Sequence, residues 1–394
     1  MSAWRDRFLA DAADWQSAGL QRRRRVVRPV SATEVEIDGK RVTAFASNDY
    51  LGLSRHPRLI EAIAEGARRY GAGAGASHLV SGHHAVHEAL EHELARFAGK
   101  PAALTFMNGY VANLALLTTL AGPDDAIFSD QLNHASIVDG ARLSRAAVGI
   151  YPHGEVDALA TLLGSSKARH KLVVTDAVFS MDGDMAPLAA LLALCEHHDA
   201  LLIVDDAHGL GVRGPEGRGS VQALGLQSDC IVYMGTLGKA AGLSGAFVAA
   251  DQIVIDRLIQ RARPYVFSTA GSPALAHATL TALELVRAAD AERDRLGAHR
   301  DRLRRAANDW HPYRLLASET PIQPLVVGDN ATAVQVAEAL LVEGLWAPAI
   351  RPPTVPPGSA RLRIAISAAH SDQDVDRLCR ALSQVVARST AIST

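Results

Sequence analysis

Between about Pro57 and Asp290 short apolar runs alternate with polar turns and helical stretches. The runs are Ala102–Phe106, Ala126–Asp130, Leu172–Phe179, Ala200–Asp205, Cys230–Met234 and Ala246–Ala250. They are apolar throughout rather than at every second position, so the strands they predict are covered on both faces. Strands alternating with helices make a parallel sheet, and ligands of such sheets sit beyond the carboxyl ends of the strands. Ahead of this region, residues 1–30 read as a polar helix ending in the basic run Arg22–Arg25. Val35-Glu36-Ile37-Asp38-Gly39-Lys40 reads as a hairpin, with Asp38-Gly39 supplying the positive φ of its turn. After about Ala291 come a charged helix, the run Ile322–Val327, a helix at Ala331–Gly344, the proline-rich strip Arg351–Pro357, a strand at Arg361–Ile366 and a final helix. The predicted organisation is an N-terminal arm (1–56), a large α/β domain (57–290) and a smaller C-terminal α+β domain (291–394).

Composition narrows this. A chain of 394 residues exceeds one ordinary core, and 48% hydrophobic with 5% aromatic content suits helices packed on a parallel sheet. The net charge of −2 provides no whole-chain field for nucleic acid or an anionic membrane, so an anionic ligand must be met by a local site. Cys195, Cys230 and Cys379 show no CxxC spacing, which points away from a disulfide framework or zinc site and toward a reducing cytoplasm. Asp6, Asp11 and Asp14 among the early arginines argue against a signal or transit peptide, and no run reaches the ~18 apolar residues of a membrane helix.

The residues just past the strand ends carry reactive and polar groups: Asn108-Gly109-Tyr110, then His134, Ser180, Asp205 with His208, and Thr236 with Lys239. Asn108-Gly109-Tyr110 opens a helix, where backbone N–H groups and the helix dipole favour a phosphate, and Gly109 allows close approach. Asp205 ends a buried run, where a carboxylate needs a cationic partner such as a protonated pyridine nitrogen. Lys239 is one of five lysines, set among Gly235, Gly238 and Ala240. Unlike arginine, a lysine forms a Schiff base, and a desolvated one near positive charge becomes a usable nucleophile and base. His134 can stack on a planar group and donate a proton. His83, His84, His87, Glu88, Glu91 and His92 form a metal-like cluster at helical spacing. No strand end supports it, so it reads as a solvated or subunit-facing helix, and no metal is predicted.

In this order the residues resemble the α-oxoamine synthase family of fold-type I pyridoxal-phosphate (PLP) enzymes. The likeness runs from Ser47-Asn48-Asp49-Tyr50-Leu51-Gly52-Leu53 to the tail. It is most specific at Phe179-Ser180-Met181-Asp182-Gly183-Asp184, Val204-Asp205-Asp206-Ala207-His208-Gly209 and Ile350-Arg351-Pro352-Pro353-Thr354-Val355-Pro356. Ala76-Ser77-His78-Leu79-Val80-Ser81-Gly82 belongs with these, since glycine-using members typically carry arginine where His78 stands.

The resemblance implies an aspartate-aminotransferase-like fold with a mainly parallel central sheet. It implies that Lys239 carries PLP as a Schiff base, His134 stacks on the ring, Asp205 meets the pyridine nitrogen, and His208 and Ser180 approach the phenolic oxygen. Gly109, Tyr110 and Thr236 hold the phosphate, with Thr269 reaching over from a second subunit of a homodimer. Arg351 takes the amino acid carboxylate, Thr354 lies beside the acyl substrate, and an N-terminal arginine, Arg22, contacts substrate. The implied reaction condenses L-alanine with a pimeloyl thioester (CoA or acyl carrier protein) with loss of CO2. The alternatives are a sister synthase that uses glycine or serine with another acyl-CoA, and a catalytically silent partner subunit.

Overall fold

The computed structural model describes residues 2–392. By its internal contacts the chain divides into two units, Asn48–Ser180 with Asp184–Asp294, and Met1–Ser47 with Met181–Gly183 and Arg295–Thr394.

The second of these carries β1 (Val27–Pro29), β2 (Glu34–Ile37) and β3 (Lys40–Ala44). Asp38 and Gly39 take φ of 51° and 78° in the tight turn between β2 and β3, as the hairpin motif requires. The N-terminal helix is shorter than expected, Ala3–Ser17, and the run Arg22–Arg25 lies exposed beyond its end.

The larger unit is built on seven strands: β4 (Ala102–Phe106), β5 (Ala126–Asp130), β6 (Ala147–Tyr151), β7 (Lys171–Asp176), β8 (Ala200–Asp205), β9 (Ile231–Thr236) and β10 (Ala246–Ala250). Their order is β4-β10-β9-β8-β7-β5-β6. All neighbours are parallel except β10, which runs antiparallel to both β4 and β9. The reason is length: residues 237–245 alone join β9 to β10, too few for the dozen or more that a parallel crossover requires. β6, not among the predicted runs although its sequence is apolar, is an edge strand with Val148 and Ile150 exposed. β7 stops at Asp176, three residues short of the predicted run, because the chain turns there and Ala177 N–H donates to the Asp205 carbonyl at 2.7 Å. Every residue of β9 and β10 is buried, which accounts for their unbroken apolar sequence. Leu104, Leu116, Ile127, Ile137, Val174, Ile203, Val232 and Val248 lie in one core cluster that joins the sheet to the helices Gly109–Leu120 and Ala135–Ser144.

In the smaller unit β11 (Arg314–Leu315), β12 (Ile322–Gly328), β14 (Ala349–Ile350) and β15 (Ala360–Ala365) form one sheet, while β13 (Leu345–Trp346) extends β1-β2-β3 beside β3. Phe45, Trp310, Leu325, Leu340, Leu362 and Leu382 form its core. Among the described residues no helix is long and apolar enough to cross a membrane.

Candidate active site

The carboxyl ends of β5, β7, β8 and β9 open on a cavity of about 330 Å³, within the size range of ligand pockets. Asn108, Gly109, Tyr110, His134, Ser180, Asp205, His208, Thr236 and Lys239 all line it. Nine residues chosen from separate strand ends therefore share one cavity.

Asn108 starts the helix Gly109–Leu120 by accepting the Val111 N–H at 3.0 Å, which leaves the Gly109 and Tyr110 end of the helix toward the cavity. A Cβ on Gly109 would come within 2.7 Å of Thr236 Cγ2, so only glycine lets this helix end sit against β9. The bare N-terminal turn, Thr236 and the missing Cβ together form a cradle suited to an anion.

Asp205 is 4% exposed. Its Oδ2 accepts from Asn113 Nδ2 at 2.7 Å and its Oδ1 from the Ala207 N–H at 3.0 Å. Asn113 also donates to Ser136 Oγ at 2.9 Å, and its own Oδ1 is buried without a hydrogen-bond partner. Asp176 stands beside Asp205 in strand register and accepts the His134 N–H at 2.7 Å. Burial, then the charge of Asp205, pushes the Asp176 carboxyl well above the usual range. Burial likewise lowers His134, with Asp205 pulling the other way, so the ring is neutral near pH 7. Its Nδ1 lies 2.8 Å from Ser136 Oγ.

Lys239 Nζ lies 3.0 Å from His208 Nε2. The opposite nitrogen, Nδ1, meets the Tyr50 hydroxyl at 2.7 Å, and that hydroxyl is 3.2 Å from Asn48 Oδ1. Tyr50 is fully buried, so the chain Asn48–Tyr50–His208–Lys239 holds both the imidazole and the amine in place. Asn113, Ser136 and Tyr50 were assigned no role from the sequence. The signal that could have found Asn113 is its polarity within the apolar run Val111–Leu117, since a buried amide in such a helix must have partners.

The remaining predicted residues lie elsewhere. Thr269 lines a neighbouring cavity with His78, Phe106 and Tyr265, and pairs with Ser77 across a short β-bridge. Met107, Ser244 and Gly245 line both cavities. Arg22, Arg351 and Thr354 belong to the smaller unit. There Arg22 Nη2 donates to Thr354 Oγ1 at 3.4 Å, and the Arg351 guanidinium donates to the carbonyls of Gly19 and, at 3.3 Å, Gln21. The proline strip thus sits on the segment just past the first helix.

Chemically, the cavity combines a primary amine, a buried carboxylate, a neutral imidazole and an anion cradle, the set a phosphorylated aromatic aldehyde needs. Comparison with known proteins agrees. The aminotransferase class I and II family description matches residues 40–382. An 8-amino-7-oxononanoate synthase from Burkholderia thailandensis is 55% identical over 378 residues, covering 94% of this chain and 95% of that protein. Serine palmitoyltransferase from S. paucimobilis, solved with a bound PLP–myriocin aldimine, superposes with a TM-score of 0.92 at 30% identity, covering 98% of each chain. The 8-amino-7-oxononanoate synthase of Francisella tularensis superposes with a TM-score of 0.77 at 29% identity, covering 89% of this chain and 99% of that one.

Proposed function

The chain belongs to the aminotransferase class I and II family, and from that membership and the cavity around Lys239 we infer that it works as an 8-amino-7-oxononanoate synthase. It is a PLP-dependent acyltransferase of biotin biosynthesis that condenses L-alanine with a pimeloyl thioester and releases CO2. The observation that carries this is the meeting of Lys239, Asp205, His208 and His134 in one cavity of a chain 55% identical, nearly end to end, to a synthase of that activity. The higher structural overlap with serine palmitoyltransferase reports the shared fold, at little over half that identity.

The residues present fit PLP. The cradle at Gly109, Tyr110 and Thr236 suits its phosphate, and the buried Asp205 carboxylate at the same cavity suits a protonated ring nitrogen. When bound, PLP supplies the electron sink that stabilises negative charge at the amino acid Cα. Asp205 holds the ring nitrogen in its cationic form, and the Asn113 and Ala207 donors fix the carboxylate for that task. Lys239 would hold the cofactor through Nζ, and the same Nζ would accept the Cα proton. His208 Nε2, 3.0 Å away, keeps Nζ in place, and Tyr50 keeps His208 in its tautomer. His134 would offer a ring face to the cofactor, and Ser180 with His208 would meet the phenolic oxygen. From the smaller unit we assign Arg351 to the alanine carboxylate, Thr354 to the acyl chain and Arg22 to substrate, supported by the contacts that bring these three together. We assign Thr269 to the phosphate of a second subunit in a homodimer, and the free cysteines Cys195, Cys230 and Cys379 support a cytoplasmic setting.

The deciding experiment supplies purified protein with L-alanine or glycine and with pimeloyl-, acetyl-, succinyl- or palmitoyl-CoA, and monitors CoA release. Each methylene buried from the pimeloyl chain contributes ~0.8 kcal/mol, so pimeloyl-CoA should exceed acetyl-CoA by roughly a hundredfold in kcat/KM. Alanine should exceed glycine by a smaller factor. If glycine with acetyl-CoA is the best pair, the assignment falls back to the family.

A further inference from the structure

The rings of His78, His83 and His87 meet outside the Lys239 cavity, within the larger unit. One nitrogen from each lies within 4.8 Å of the others, and His78 Nδ1 is 2.9 Å from His83 Nδ1. Of the helix read from the sequence as solvated or subunit-facing, Glu88 and His92 are exposed, whereas His87 is 2% exposed and Glu91, one turn on, is also buried. The far sides of the rings are anchored as well. His83 Nε2 is 2.9 Å from Glu88 Oε2, and the other Glu88 oxygen is 3.4 Å from His92 Nε2. His87 Nε2 donates to the Gly271 carbonyl at 3.0 Å, while its Nδ1 accepts the backbone N–H of His84 in the cap of the helix Ala85–Ala98. His78 stacks on Tyr265 with ring centroids 4.8 Å apart. A carboxylate behind one imidazole and a backbone carbonyl behind another is the outer-shell arrangement that orients histidines toward a metal.

We propose that His78, His83 and His87 bind a divalent transition-metal ion of the imidazole-preferring class, Zn2+, Ni2+ or Cu2+. Metal–nitrogen bonds of ~2.0–2.1 Å in tetrahedral geometry place ligand nitrogens roughly 3.3 Å apart. The His78–His83 pair, at 2.9 Å, therefore opens by a few tenths of an ångström, and His87 turns a nitrogen to the ion by giving up its acceptance of the His84 N–H. Three imidazoles leave a fourth position for water or an added ligand, and His78 and His87 both line the cavity that contains Thr269. The ion would also tie the segment His78–Gly82 to the helix Ala85–Ala98. Ser77, next in the chain to His78, is bridged to Thr269, so the site stiffens the backbone opposite that residue.

The test uses tag-free, PLP-loaded protein in calorimetric titration with ZnCl2 and in visible spectroscopy with CoCl2. One equivalent per chain is expected at micromolar or tighter affinity, with the visible bands of four-coordinate cobalt. His83→Ala and His78→Ala should each abolish that equivalent, and Glu88→Gln should weaken it roughly tenfold by removing the orienting charge. PLP is common to every sample, so any chelation by the cofactor cancels in the comparison. His83 and Glu88 are only partly buried, so those two variants test the site even if His78→Ala fails to fold. No saturable uptake, or uptake unchanged by His83→Ala and Glu88→Gln, overturns the proposal. Neither readout depends on which substrates the enzyme takes.

Discussion

Replacing Asp205 by asparagine keeps the shape of the side chain and removes its charge, and the surroundings determine what that does. Both partners of the carboxylate are donors, Asn113 Nδ2 on Oδ2 and the Ala207 N–H on Oδ1. An amide has one acceptor oxygen, so in Asp205→Asn one of these donors faces an NH2 group and a hydrogen bond is lost in a buried place. That loss costs about 1–2 kcal/mol of stability and lowers Tm by a few degrees. Loss of the charge also relieves Asp176, whose raised carboxyl pKa should move back toward the ordinary range. The larger effect is on catalysis. A unit charge held ~4 Å from a cationic ring nitrogen at an effective dielectric of ~20 is attracted by about 4 kcal/mol. If that attraction is what sustains negative charge at the amino acid Cα, its removal slows turnover roughly a thousandfold. The assay is single-turnover CoA release with saturating L-alanine and pimeloyl-CoA, alongside melting curves of PLP-loaded protein. A loss of less than about tenfold in a variant that melts within a few degrees of wild type would refute the reasoning and assign the ring nitrogen to another residue.

Three further outcomes are expected. Borohydride reduction of the yellow, PLP-loaded protein should place the adduct on Lys239, and Lys239→Ala should fold without turnover; a peptide map that puts the adduct on Lys40, Lys100, Lys167 or Lys171 overturns the assignment. His153 lies 2.9 Å from Asp130 and 2.6 Å from Asp184, and these hydrogen bonds push its pKa up to about 10. A histidine raised in the folded state contributes its full stability below the ordinary value of ~6.5 and loses it as pH climbs through about 10. The Tm deficit of His153→Gln should accordingly be largest near pH 6 and close by about pH 10.5, and a deficit constant across that range would mean that His153 acts by packing alone. Finally, Lys239→Ala chains co-assembled with impaired Thr269→Ala chains should regain activity, because each heterodimer holds one complete site if Thr269 serves its neighbour. Confirmed heterodimers with no recovered activity would rule out the shared site.

The sequence by itself determined the α/β class, the places where strands end and the residue types found there. Short apolar runs bounded by turns read as strands covered on both sides, and chemistry in such sheets gathers at one edge. For that reason Gly109, His134, Ser180, Asp205, His208, Thr236 and Lys239 are legible in the sequence, and the structure brings them to one cavity. Hydrophobic pattern reports burial, though, and neither strand direction nor contacts distant in sequence. The reversal of β10 resulted from a short connection, which the apolar pattern does not register. Only the folded chain showed that Tyr50 orients His208 from 158 residues away, that Asn113 holds Asp205 across 92, and that Thr269 lines the cavity next to the one holding Lys239. The histidines between His78 and His92 make the same point. The spacing from His83 to His92, Glu88 included, is visible in the sequence, but the approach of His78 and the Gly271 carbonyl behind His87 are not, since a hydrogen-bond partner 184 residues distant leaves no trace in local pattern.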